Sequence, residues 1–202
     1  MNLLSRSIRA FFVLLLSFTL IMCAKKEEGA QAQNKEKAAT QTEKPAEQVS
    51  NRGTANAAFG GKSVSINYGR PQLKGRDMLA MAPEGTVWRM GMNEATEIKT
   101  EADLKFGETV IPAGSYSLWM KKGSGDKWNL VFNKKTGIWG HEHPPADDLA
   151  AVPMTVTANE TSVEAFTIEV TGDGESSGEI KAMWGKSIVA AAFTIAAKTT
   201  AQ

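Results

Sequence analysis

The sequence predicts an all-β protein: a single antiparallel β-sandwich of roughly 8–10 strands occupying residues 58–202. Three observations lead there. From Phe59 onward apolar and polar residues alternate with period two almost everywhere, the spacing of half-buried strands. Turn residues (Gly, Pro, Asn, Asp) punctuate that alternation at intervals of roughly eight to twelve positions. No stretch of helical length in this region follows the 3.6-residue period, and no internal repeat is present.

The elements follow in order. Val64–Tyr68 reads as the first strand, and it runs into a loop, Gly69–Arg76, rich in glycine and proline. Asp77–Ala82 has the composition of one helical turn, with Asp77 as its N-cap and Pro83 ending it. Strands are expected near Thr86–Arg89 and Ala95–Thr100, and a hairpin joins Asp103–Phe106 to Thr109–Ile111 across Gly107-Glu108. Ser115–Lys121 would present Tyr116, Leu118 and Met120 on one face and Ser115, Ser117 and Trp119 on the other. Trp128–Asn133, Met154–Asn159 and Val163–Val170 follow as strands. A final hairpin is expected to pair Glu179–Trp184 with Ser187–Ile195 across Gly185-Lys186. Its last strand is apolar on both faces, so it should be central. By parity, Trp128 and Trp184 belong to the core.

The N-terminal quarter is of another kind. Arg6 and Arg9 precede an apolar run, Ala10–Met22, broken by Ser17 and Thr19. The run is shorter than the ~20 residues a spanning helix needs, and it suits the core of a signal peptide over residues 1–22. It ends at Cys23, the only cysteine in the sequence. Leu20-Ile21-Met22-Cys23 resembles a bacterial lipoprotein signal, in which the cysteine is acylated, although Met22 stands where such signals carry a small residue. The alternative is an ordinary secretory peptide with an incidental cysteine. Multiple acylation would make Cys23 a stable membrane anchor. Residues 23–57 then read as a polar linker, with balanced Lys and Glu, no aromatic residue and too little apolar surface to fold. A single cysteine excludes an intramolecular disulfide. With 23 basic and 22 acidic residues and a net charge of +1, the chain carries no nucleic-acid footprint. No cofactor motif is present.

The densest packet of chemistry is Val87–Thr96. An extended chain from Asn93 would place Glu94, Thr96 and Ile98 on one face, with Ile98 marking it as buried. Glu94 would then look inward and need a partner, and Arg89 across the Gly91 turn is the nearest. Arg70, Arg76, Arg89, Asn93 and Glu94 are therefore the candidate ligand-binding set: guanidinium forks for a carboxylate or phosphate, with Asn93 and Glu94 orienting a hydroxyl or amide. The plainer reading is an Arg89–Glu94 brace that ties the 69–84 loop to the sheet. Trp119, sharing a face with two serines, is the indole expected to be open to a ligand such as a sugar. His141 and His143, two residues apart, would meet one metal if they lay on a strand, but Pro144-Pro145 argues for a solvated loop. Gly174-Glu175-Ser176-Ser177-Gly178 matches the G-x-S-x-G pattern yet lacks the strand–helix setting of a nucleophile elbow, and reads as a hairpin loop.

Several of these segments together resemble the bacterial family called domain of unknown function 2911. They are Gly69-Arg70-Pro71 with Leu73-Lys74-Gly75-Arg76, Val87-Trp88-Arg89 with Gly91, Asn93-Glu94-Ala95-Thr96, Pro112-Ala113-Gly114-Ser115-Tyr116-Ser117-Leu118, and Trp139-Gly140 followed by Asp148-Leu149. The resemblance covers about Lys62 to Ile195. It implies secreted or lipid-anchored proteins with a β-sandwich, and it carries over no catalytic residue. His141 and His143 stand where the family pattern has aromatic residues. The expectation is a membrane-anchored envelope lipoprotein that binds a small ligand or another envelope protein, without catalysis. The alternative is a hydrolase, such as a carbohydrate-active one, using Glu94. A glycosidase needs two facing carboxyls, and Glu97 is expected on the opposite face.

Overall fold

The computed structural model describes residues 51–196. The signal segment, Cys23 and most of the expected linker lie outside that range. Among the described residues there are ten strands: β1 (Arg52–Phe59), β2 (Lys62–Gly69), β3 (Val87–Trp88), β4 (Thr96–Thr100), β5 (Leu104–Phe106), β6 (Thr109–Ile111), β7 (Gly114–Lys122), β8 (Trp128–Asn133), β9 (Asp148–Gly172) and β10 (Ser177–Ile195). All pair antiparallel, in the order β1-β2-β4-β7-β8-β9-β10-β5-β6, with β3 beside β7. The protein is all-β, as its period-two pattern predicts, and its single sheet is not closed into a barrel.

The two ends of the sheet are brought face to face by β9, which changes partner partway along. Its first part, to Met154, pairs with β8, and from Thr155 onward it pairs with β10. Rings from the two halves therefore meet: Phe59 on Phe193 at 5.2 Å between centroids, Tyr68 on Phe166 at 5.9 Å, and Phe106 on Phe132 at 5.4 Å. Val64, Ile66, Leu118, Leu130 and Val189 complete this core with no exposed surface.

Two elements differ from expectation. β1 begins at Arg52, inside the stretch whose composition suggested linker. It forms a hairpin with β2 across Gly60-Gly61, both at positive φ (54° and 78°), the backbone such tight turns require. A strand of small and polar residues folds here because β2 supplies a full ladder and because Phe59 is buried. Further on, Gly185-Lys186 is not a turn. β10 runs through it from Ser177 to Ile195, and the register shifts around Gly185 (φ 60°), where Ser187 pairs with Ala158 but Gly185 with Val163. Asn159–Ser162 are the residues left over on β9, so this is a bulge that bends a long two-stranded ribbon.

The true β9–β10 turn is Asp173–Ser176, which overlaps the Gly174–Gly178 segment and is organised by Asp173. Its carboxylate accepts the N–H groups of Glu175, Ser176 and Ser177 at 2.8–3.0 Å and the Ser177 hydroxyl at 2.6 Å. The Ser177 hydroxyl, followed by the backbone donors, holds this carboxyl far below the usual range. Since the folded value lies below the unfolded one, the contribution to stability is complete above the ordinary value of about 3.9 and fades as pH falls below it. Asp173→Ala is expected to melt at a lower temperature than wild type at pH 7, with the gap narrowing below about pH 4. A gap independent of pH in thermal melts would refute that assignment.

Candidate functional site

The segments that carry the sequence motifs meet at a crossing of two backbones. A Cβ on Gly69 would lie 2.2 Å from the Met92 carbonyl oxygen, and one on Gly91 would lie 2.9 Å from that of Gly69. Only glycine at both places lets the end of β2 pass under the 90–93 turn. Met90 and Asn93 are themselves left-handed, with φ of 52° and 63°. Two such residues reverse the chain, so the period-two reading of this stretch starts at Thr96, where β4 begins, and not at Asn93.

That turn sends Arg89 and Glu94 to different partners. Glu94 is exposed and pairs with Arg52 at 2.7 Å, and the Arg52 Nε also donates to Asn67. Arg89 packs over Gly140, donates from Nη1 to the Gly140 carbonyl at 3.3 Å, and buries an Nε without a partner. The expected Arg89–Glu94 brace is thus replaced by an Arg52–Glu94 pair and a separate Arg89–Gly140 clamp. Arg70 donates to the Phe166 carbonyl at 3.4 Å, Arg76 is exposed in the loop, and Asn93 accepts from Gly140 N–H through its backbone. Arg70, Arg89, Asn93 and Glu94 thus each meet a different neighbour.

Trp119 also differs from expectation: it is 1% exposed, its Nε1 donating to Ser117 Oγ at 2.9 Å. The cover is non-local. Asn133, fully buried, donates to the Pro144 carbonyl and to Asp148, drawing the 134–147 loop over the sheet. His143 is thereby set against the indole (4.8 Å between centroids), with Nε2 2.8 Å from Asp148 Oδ1. His141 instead lies against Trp139 and Glu142. The two histidines serve different neighbours, and among the described residues no group of three or more His, Cys, Asp or Glu is placed to hold a metal.

An apolar concavity lies elsewhere, between the 70–86 loop and the inner face of the sheet. Pro71 and Gln72 pair with the Ala165–Phe166 stretch of β9, and Leu73 N–H donates to Glu164. Asp77 caps a single turn, its Oδ1 accepting from Ala80 N–H at 3.0 Å, as its sequence predicts. Leu79 is buried by that turn, whereas Met78 and Met81 are left 42% and 70% exposed. Beneath them Trp88 and Trp184 stack at 5.4 Å and 11°, both edge-on to Phe166. The resulting cleft, about 290 Å³, is walled by Met78, Met81, Ala82, Trp88, Trp128 and Trp184, and no charged side chain lines it. Its chemistry is that of a receptor for apolar surface: thioethers adapt in shape and indoles offer large flat contact areas. Parity correctly marked Trp128 and Trp184 as inward-facing. The cleft itself had no local signal, because its methionine wall is built by a loop docked from elsewhere in the chain.

Neither a curated protein nor a solved structure matches this chain. The family described as "Protein of unknown function (DUF2911)" matches residues 50–193, from just before β1 to near the end of β10. The motif segments, the glycine crossing and the cleft all fall within it, and the chain belongs to that family.

Proposed function

We propose that this protein is a non-catalytic binding module held at a bacterial envelope membrane through an acylated Cys23, with its ligand entering the Trp88–Trp128–Trp184 cleft. The observation that carries the binding reading is the exposure of Met78 and Met81 over a stacked tryptophan pair in a charge-free hollow. Apolar side chains left at the mouth of a preformed concavity mark a ligand site more often than a packing defect. The hydrolase alternative loses support from Glu94, which is exposed and already neutralised by Arg52, and from the lack of any carboxylate in the cleft lining.

The uncharged dye N-phenyl-1-naphthylamine should bind with enhanced emission and be excited by energy transfer from tryptophan. Met81→Asp puts a charge at the mouth, on a side chain exposed enough that stability changes by no more than about 0.5 kcal/mol. Dye binding is expected to fall at least about tenfold in that variant. Unchanged dye binding in Met81→Asp would refute the site.

The anchoring reading is supported by the short apolar run that ends at the single cysteine. Wild type is expected in the detergent phase on temperature-induced partitioning, and Cys23→Ala in the aqueous phase. Equal partitioning of the two into water would refute acylation.

A further inference from the structure

We infer that the ligand of this cleft is a single-chain amphiphile with an anionic headgroup, its chain lying among the tryptophans and methionines and its head on Lys122. This rests on the cleft being the binding site and adds the chemical class of what it binds.

Lys122 is the last residue of β7 and continues the inward-facing series Tyr116, Leu118, Met120. It is 8% exposed, which is rare for a lysine without a close partner. Among the described residues its ion pair is with Asp126, 3.9 Å away, on a turn where that carboxylate is 98% exposed and therefore solvated. The ammonium also lies over the Trp128 ring, 5.1 Å from its centroid. The stem of Lys122 is buried while its ammonium reaches the surface, with a cation–π contact and a distant, hydrated carboxylate as its neighbours. Charge-assisted hydrogen bonds run at about 2.7–2.9 Å, so with Asp126 at 3.9 Å the ammonium can accept a closer oxyanion.

Leu79 and Trp128 form a wall common to the apolar cleft and a second hollow of about 340 Å³. Lys122 and Lys186 line the second hollow, with Asp126 as the opposing charge. An apolar compartment and a cationic compartment thus adjoin across one indole. A molecule that fills both must be apolar at one end and anionic at the other. The apolar volume of about 290 Å³ would hold on the order of ten groups the size of a water molecule, so one short chain fits and two do not. A lysine presents a compact charge without the planar fork of arginine, so a carboxylate, sulfate or phosphate head would be accepted alike.

The test displaces the naphthylamine dye from the full chain with decanoate, decanol and acetate, each below any micelle concentration, in wild type and Lys122→Met. Methionine preserves the apolar stem and removes the charge, and the Asp126 carboxylate left behind is 98% exposed and solvated, so folding is retained. Decanoate is expected to displace the dye at a concentration about tenfold lower than decanol, the effect of one charge-assisted hydrogen bond. Acetate should not displace it. In Lys122→Met the preference is expected to vanish, with decanol acting as it does on wild type. Equal displacement by decanoate and decanol in wild type, or a preference that survives Lys122→Met, overturns the headgroup assignment and leaves the cleft standing. Displacement by acetate would show a bare anion site and overturn the amphiphile. A wild-type protein that binds neither dye nor decanol nor decanoate overturns both readings.

Discussion

Phe166→Ala is expected to lower the free energy of unfolding by about 3–5 kcal/mol, the range for deleting a fully buried aromatic ring. The ring has no exposed surface and meets Tyr68, Trp88 and Trp184 at centroid distances of 5.9, 4.9 and 5.8 Å. These partners come from β2, β3 and β10, so removing one side chain loosens contacts among three strands that are distant in sequence. The stacked Trp88–Trp184 pair above it cannot follow the void without breaking its own contact, and Trp184 is further held by an Nε1 bond to the Glu164 carbonyl. Most of the cavity should therefore persist. Urea denaturation would show the loss as a lower midpoint at unchanged slope. A loss under about 1 kcal/mol would mean that the surrounding rings close over the gap, and that this cluster is not the rigid floor the cleft requires.

Gly69→Ala is expected to cost at least about 3 kcal/mol, at the top of the range for overpacking. The new methyl would sit 2.2 Å from the Met92 carbonyl oxygen and 2.7 Å from its nitrogen. Both are backbone atoms, so no side-chain rotamer relieves the clash. Relief would require lifting the 90–93 turn and with it β4, which starts three residues later. Gly107→Ala is the matched control. That glycine is at φ 56° with nothing near its would-be Cβ, so the only expected cost is the left-handed strain of about 1–2 kcal/mol. If thermal melts rank the two variants equally, the crossing is looser than described.

Features with a local cause were legible in the residues. Alternation gave the all-β class and the bounds of β7 and β8 to within a residue or so, because burial on one face of a pleated strand has period two whatever packs on it. The Gly107-Glu108 hairpin and the Asp77 cap were legible for the same reason: each is decided within a few residues. β1 was not, since Arg52–Phe59 contains little apolar surface of its own and owes its strand to the β2 ladder. Gly185-Lys186 has the residues of a turn, but the positive φ there serves a bulge. Which of the two forms depends on whether β9 continues alongside.

The sites divide along the same line. Family membership and the motif segments could be read from order along the chain, and Gly69 and Gly91 stood out within those motifs. What they were for is a contact between them, invisible until the backbones cross. Trp119 seemed open because its strand neighbours are serines, yet Asn133 and Asp148 draw a distant loop across it. Arg89 and Glu94 seemed paired because only four residues separate them, yet two left-handed residues between them send one to Gly140 and the other to Arg52. The sequence by itself determined the strand chemistry and the kinship, both properties of local order. The tertiary structure alone decided which side chains share a cavity, because loop docking and partner switching by β9 join residues whose separation along the chain carries no information about their distance in space.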